Sequence, residues 1–297
     1  MSFSEIKAGV VGIGFIGVAH IEALRRLGVR VVGVVGSTPE RATAKAASAN
    51  LPKVYESVEA MVADPKIDVV HVASPNHVHA DQVREALAAG KHVVCEKPLA
   101  LTSEDTADLV ERAAVSGLVN AVCFNIRFYP LNHQMAAMVR DGSIGRPTFV
   151  TGSYLQDWLL LETDWNWRLV AEEAGALRAV ADIGSHWLDL ARFITGRRVI
   201  EVMADLHTFV PVRRHPAGPV ETFASAGDSD ELTFVNNHFT AQQHRFDRAS
   251  HFGSFEDRVV EVHVVGRCRQ HMRGRGVVDD DVGVGSRRNR SLARVEP

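Results

Sequence analysis

The chain has 297 residues, 46% of them hydrophobic, with 33 basic and 36 acidic side chains and a formal net charge of -3. That length suits two domains better than one core, and the near balance of charge gives no electrostatic reason to expect nucleic acid or an anionic membrane as partner. The three cysteines, Cys95, Cys123 and Cys268, are odd in number and lack paired spacing, so a reduced, cytoplasmic compartment is expected and each thiol reads as a small buried hydrophobe.

The stretch from Met1 to Lys7 has neither the basic start nor the apolar run of a signal peptide, and no segment approaches the ~18 apolar residues of a membrane span. From there strand-like and helix-like segments alternate. Apolar runs at Ala8–Ile13, Val29–Val35, Val69–Val72, His92–Cys95 and Val119–Phe124 predict strands, and alanine-rich helical patterns at Gly17–Leu27, Pro39–Ala49, Asn76–Ala89 and Ser103–Ser116 predict the helices between them. Such a βαβ succession predicts an α/β fold, a doubly wound parallel sheet covered on both faces. Thr38 before Pro39, and Thr102 or Ser103 before Glu104 and Asp105, are helix-start signals. Gly28, Gly90 and Gly117 are natural helix stops.

After Phe124 the rhythm changes. Phe128-Tyr129-Pro130 leads a short helix through Arg140, followed by an expected strand at Pro147–Leu155 and a tryptophan-rich loop from Trp158 to Trp167. A helix from about Ala181 to Thr195 stops at Gly196, and a strand is expected at Val199–Leu206. Trp158, Trp165 and Trp167 suit equally a sugar-stacking surface and a loop anchor.

Gly12-Ile13-Gly14-Phe15-Ile16-Gly17 matches the GxGxxG pattern at the turn from the first strand into the first helix. Glycine permits the tight turn, the approach of backbone to a pyrophosphate and the packing of helix on strand, while the helix N-terminus receives the phosphate charge. The pattern alone is weak; its place in the first βαβ unit makes a dinucleotide site the better reading than a plain turn. An NAD site carries an acidic residue at the end of the second strand to hold the ribose hydroxyls. Here that position reads Gly36-Ser37-Thr38-Pro39-Glu40-Arg41. Small hydroxyl residues leave room for a 2′-phosphate, and Arg41 is either its partner or a solvated charge, so NADP is expected ahead of NAD.

Glu96-Lys97-Pro98 follows the apolar run Val93-Val94-Cys95, and Lys97 is the last lysine of the chain. A cation and a carboxylate at the carboxyl end of a buried parallel strand stand where open α/β sheets bind ligands. The following proline is compatible with a cis bond.

Together these residues resemble the Gfo/Idh/MocA family, the glucose-fructose oxidoreductase and inositol dehydrogenase group, over roughly positions 6 to 225. Glu96-Lys97-Pro98 matches its hallmark tripeptide, and Ser74-Pro75-Asn76 with His79 looks like the loop that lies near the nicotinamide side of the cofactor. Asn125, Arg127 and Tyr129 are similar to its interdomain segment. Asp182-Ile183-Gly184-Ser185-His186 resembles its substrate-site motif, whose aspartate and histidine bind substrate and transfer a proton. The resemblance implies a Rossmann domain at 1–124 and an α+β substrate and oligomerisation domain with an open, mostly antiparallel sheet at 125–265; the residues at 266–297, where the chain departs from the family, read as an irregular tail. It also implies a homo-oligomer and a dehydrogenase or reductase acting on a sugar, polyol or related cyclic compound.

The chemistry of the residues agrees. Asp182 and His186 are four apart, on one face of a helix, and imidazole titrates in the range a hydroxyl's general base needs. Lys97 would favour the alkoxide-like charge on the substrate oxygen. The plainer reading is a helix cap and a satisfied core histidine. No metal site is expected, since Asp182 and His186 supply two ligands and His77 and His79 point to different faces of a helix. From about Asp228 the period-two alternation fades, Val259–Val265 being the one credible strand, and Arg273 to Pro297 reads as disordered. The last seventy or so residues therefore read as a divergent or frame-disrupted version of the family's C-terminal sheet, which keeps open a second role, a cofactor-binding sensor or pseudoenzyme without turnover.

Overall fold

In the computed structural model five strands form one parallel sheet: β1 (Lys7–Val11), β2 (Arg30–Val35), β3 (Val69–Val72), β4 (His92–Glu96) and β5 (Asn120–Cys123), in the order β2-β1-β3-β4-β5. The structure describes residues 2–156, 159–161, 163–199, 201–202, 208, 210, 212–216, 232–236 and 293–294. Val54 adds a parallel bridge to Val34 on the free side of β2. The chain thus travels outward from β1 through β2, then returns to lay β3 on the other side of β1. That reversal is the topological switch point of a doubly wound sheet, and ligands bind outside it, at the carboxyl ends of the strands.

Both faces of the sheet are covered by α1 (Phe15–Arg26), α2 (Pro39–Ser48), α3 (Val58–Val62), α4 (His79–Ala88) and α5 (Ser103–Ser116). Alternation along β1 decides which face each residue serves. Val10 packs with Ile21 and Leu24 of α1 and Ala46 of α2, whereas Val11 packs with Met61 of α3, Val83 and Leu87 of α4 and Leu109 of α5. The start signals work as read: Thr38 accepts a hydrogen bond from Arg41 N, and Thr102 from Asp105 N. Helix α3 was not legible, because five residues are too few to show a period; Ser57 caps it and Met61 is its fully buried contact. The pattern at Asn76–Ala89 divides into a 3-10 turn, Asn76–Val78, and α4.

Beyond Phe124 come a 3-10 turn Asn125–Phe128, α6 (Pro130–Arg140), a 3-10 turn Trp167–Leu169, α7 (Ala171–Ala174), a π turn Val180–Gly184 and α8 (Ser185–Thr195). The described strands there are β6 (Glu201–Val202), β7 (Val212–Pro216), β8 (Leu232–Asn236) and β9 (Ala293–Arg294). Both of their ladders, β6 with β9 and β7 with β8, are antiparallel. The chain divides into two compact units, one of Met1–Phe124, Gln156–Ser185 and Val210–Arg248, the other of Asn125–Leu155, His186–Phe209 and Ala249–Pro297.

Two expected elements differ. The segment Pro147–Leu155 is irregular rather than a strand: Phe149 is exposed, and the backbone at Gly152 approaches the Trp187 indole so closely that a Cβ would stand 2.9 Å from Nε1. The helix expected from Ala181 opens as a π turn, a widened turn that often marks functional sites. Of the strand expected at Val199–Leu206, residues 201–202 are strand and 203–207 lie outside the described residues, as do Trp158, Val259–Val265 and Cys268. Of Arg273 to Pro297 only 293–294 are described, in the ladder with β6.

Candidate active site

The glycine turn is built for close approach. Gly12 closes β1 at φ +90°, and a Cβ there would lie 2.4 Å from the Ala73 carbonyl oxygen, so the loops after β1 and β3 meet backbone to backbone. A Cβ on Gly17 would fall 2.0 Å from the Gly12 oxygen, which is why helix and turn can pack. Gly14 differs: it is the N-cap of α1, and nothing lies within 4 Å of where its Cβ would be. Open space in front of a twelve-residue helix N-terminus fits a dinucleotide pyrophosphate. Phe15 beside it is exposed and Ile16 half-buried. At the end of β2, Ser37, Thr38 and Arg41 are exposed, and the Thr38 hydroxyl is engaged as the cap of α2, 3.3 Å from Arg41 N.

Lys97 emerges from the carboxyl end of β4, ahead of a cis bond to Pro98. Its Nζ donates to Asp182 Oδ1 at 2.6 Å and to the Asp182 carbonyl at 2.9 Å, with the two side chains 11% and 12% exposed. Arg168 brings a second cation to the same carboxylate oxygen, Nε to Oδ1 at 3.3 Å. Its guanidinium lies 4.4 Å from the Trp167 ring centroid, and Asn166 Oδ1 accepts from its backbone N–H and Nη1. Sequence reasoning missed Arg168; its signal was the tryptophan-rich loop it closes. Asp182 sits in the π turn.

Glu96 faces inward and accepts from the Lys97 backbone N–H at 3.2 Å, with His20 Nε2 3.0 Å from its other oxygen. Burial alone would push its carboxyl up; the His20 and Cys123 donors and the Lys97 charge outweigh that and hold it below the ordinary carboxylate range. Glu96 is therefore placed to support the Lys97 backbone.

His79, expected beside the cofactor, is instead a core residue with no exposed surface. Its Nδ1 is 2.8 Å from the Pro98 carbonyl and its Nε2 2.8 Å from the Ser74 carbonyl, so it ties the loop after β3 to the loop after β4. Burial pushes its pKa down, against the pull of those two carbonyls. Ser74 Oγ donates to Gln82 Oε1 at 2.6 Å, and buried Asn76 donates to the Ala174 carbonyl at 3.2 Å. Both residues line the same loop, at the switch point.

The second unit holds the other expected residues. Asn125 is exposed in its 3-10 turn. Arg127 makes a two-pronged ion pair with buried Asp189 of α8 and stands over the Phe193 ring, 5.6 Å from the centroid. Its Asp189 partner raises its pKa further. Arg127 thus braces the unit, with Tyr129 exposed next to it. His186, in the first turn of α8, is buried and meets the Tyr154 ring edge-on at 5.8 Å.

Residues 6–124 match the family described as an oxidoreductase family with an NAD-binding Rossmann fold, and residues 132–284 match the GFO/IDH/MocA C-terminal domain. The second match runs well past Asp228, where the family pattern was expected to fail. The chain is similar to levoglucosan dehydrogenase of Pseudarthrobacter phenanthrenivorans, 32% identical over 232 residues, covering 74% of this chain and 59% of that one. It is likewise similar to 1,5-anhydro-D-fructose reductase of Ensifer adhaerens, 35% identical over 63% of this chain and 56% of that one. Among solved structures it resembles levoglucosan dehydrogenase in complex with NADH and L-sorbose, with TM-score 0.65, 30% identity, and 74% and 61% of the two chains covered. The chain spans about three-fifths of the length of these relatives. Among the described residues no helix is long and apolar enough to cross a membrane.

Proposed function

The chain belongs to the GFO/IDH/MocA oxidoreductase family, and from that premise we propose that it transfers hydride between a nicotinamide dinucleotide and a secondary hydroxyl or carbonyl of a sugar, polyol or related cyclic compound. The observation that carries this reading is the Lys97–Asp182 pair, buried at the carboxyl end of β4, in the sheet whose β1 turn leaves Gly14 open to a ligand. Gly12, Gly14, Phe15, Ile16 and Gly17 would receive the dinucleotide, with Ser74 and Asn76 toward its nicotinamide end. When bound, the nicotinamide supplies the acceptor or donor of hydride. The protein's part is the proton and the charge. Lys97 donates to the reacting oxygen and stabilises its alkoxide character, Asp182 holds the Lys97 ammonium, and His186 takes or returns the hydroxyl proton. Asn125 and Arg127 complete the substrate side, Arg127 through its hold on Asp189.

The proposed division places the dinucleotide-binding domain at 1–124, the substrate domain at 125–265 and an irregular tail at 266–297. NADP is proposed ahead of NAD, because Ser37 and Thr38 stand where a ribose-binding carboxylate would be and Arg41 is exposed one turn into α2. Levoglucosan dehydrogenase, whose structure contains NADH, sets the competing outcome. Titrating both dinucleotides against the purified protein separates them: NADP binding at least about tenfold tighter supports the reading, and tighter NAD overturns it. For the reaction, nicotinamide absorbance is followed over a panel of sugars and polyols. Turnover abolished in His186→Ala supports the assignment; dinucleotide binding with no turnover of any panel member transfers the protein to the sensor class.

A further inference from the structure

Beneath Lys97 runs a chain of side chains that the proposed reaction does not use. His71 on β3 and His20 on α1 present their Nδ1 atoms to each other at 2.9 Å, with the rings edge to face. His20 Nε2 then lies 3.0 Å from Glu96 Oε1, and Glu96 Oε2 accepts the Lys97 backbone N–H at 3.2 Å. A single proton fits between two ring nitrogens at that distance, so one donates and the other accepts. His71 is neutral: burial first, then the facing His20, push its pKa from 6.5 to about 4. An ionised carboxylate only accepts, so the proton in the His20–Glu96 contact belongs to His20 Nε2. Cys123 adds a third donor. Burial and the neighbouring Glu96 push its thiol up to about 12 and keep it protonated against the carboxylate. His20, Glu96 and Cys123 bring their polar atoms within 4.8 Å of one another, so the carboxylate is held from the α1 side by the imidazole and from the β5 side by the thiol.

We propose that His20 and His71 are positioning residues for the Lys97 ammonium. His71 occupies Nδ1 of His20 so that Nε2–H points at Glu96, and Glu96, held in one rotamer, fixes the backbone from which Lys97 reaches Asp182. The inference rests on the reading of Lys97 as the group that polarises the substrate oxygen. Neither histidine is assigned a contact with substrate. Without His20 the Glu96 carboxylate loses its nearest donor and turns toward the Lys97 ammonium, in competition with Asp182.

The test uses the full chain with His20→Ala, His20→Gln and His71→Phe. His20→Ala is expected to lower kcat about 10- to 100-fold, the cost of a misplaced reacting group, with the NADPH dissociation constant within about threefold of wild type. His20→Gln, whose amide N–H replaces Nε2–H, restores most of that loss. Long-range proton–nitrogen correlation of the histidine rings gives a readout free of turnover: a protonated His20 Nε2 in the wild type, and a shifted His20 Nδ1 in the volume-conserving His71→Phe. A deprotonated His20 Nε2, a His20 spectrum untouched by His71→Phe, or a kcat within about threefold of wild type in His20→Ala overturns the proposal. Should the wild type bind dinucleotide but turn over no polyol, the reading of function fails by itself, and the ring-nitrogen spectra still decide whether His20 holds Glu96.

Discussion

Replacing Lys97 by methionine keeps the length of the stem and removes the ammonium, with two separate consequences. The first is structural. Lys97 Nζ makes two hydrogen bonds to Asp182, one to the carboxylate at 2.6 Å, and both side chains are nearly buried. Removing one partner of such a pair costs about 3–5 kcal/mol because the other charge is left buried. Arg168 stays 3.3 Å from the same oxygen, so the lower end, about 3 kcal/mol, is expected, a fall in Tm of roughly 6–12 °C. The second is catalytic: loss of one donor to a developing oxyanion lowers kcat about 10²- to 10³-fold. Steady-state kinetics on the best substrate of the polyol panel, with dinucleotide affinity by fluorescence titration, tells the two apart. NADPH affinity is expected to stay within about threefold, because the proposed pyrophosphate contacts lie at the glycine turn. Lys97→Arg is expected to rescue stability better than kcat, since a planar guanidinium pairs with Asp182 yet presents its donors elsewhere. A Lys97→Met protein with wild-type kcat and Tm would refute the reasoning at both levels.

The glycine turn gives a matched pair. Gly12→Ala forces a Cβ 2.4 Å from a backbone oxygen at φ +90° and is expected to destabilise by roughly 2–3 kcal/mol, read by urea unfolding. Gly14→Ala meets no protein atom within 4 Å; as a change at the N-cap of α1 it should cost only about 1 kcal/mol or less yet weaken dinucleotide binding at least about tenfold, and unchanged affinity would remove Gly14 from the phosphate site. Arg127→Ala strands buried Asp189, so a loss of about 2–3 kcal/mol is expected, largely restored by also making Asp189→Leu. The pH dependence of stability carries the signature of His71. Its pKa is depressed in the folded state, from 6.5 to about 4, so its stabilising contribution is complete above 6.5 and drains as pH falls toward 4, by about 3 kcal/mol. Urea midpoints measured across that window should flatten in His71→Phe. Glu96, also held low, loses its contribution only further down, as pH falls through its own depressed pKa.

What the sequence determined by itself is local and periodic. Five short apolar runs separated by helical patterns point to a parallel sheet, because strands covered on both faces by helices carry near-continuous apolar runs such as Val93-Val94-Cys95. Thr38 and Thr102 announce their helices because a cap is decided within three residues. Glu96-Lys97-Pro98 stood out by composition and place. The tertiary structure decided whatever depends on partners distant in sequence. His79 looked like a cofactor contact until the carbonyls of Ser74 and Pro98 closed on its ring, and the segment at Pro147–Leu155 has strand-forming residues but is irregular, with its backbone at Gly152 against the Trp187 indole. Arg168 reaches Asp182 across 14 residues, His20 reaches Glu96 across 76, and Lys97 reaches Asp182 across 85. No period or spacing encodes these pairings: they arise because parallel strands bring distant residues to one edge of the sheet, where burial obliges each charge to find a partner.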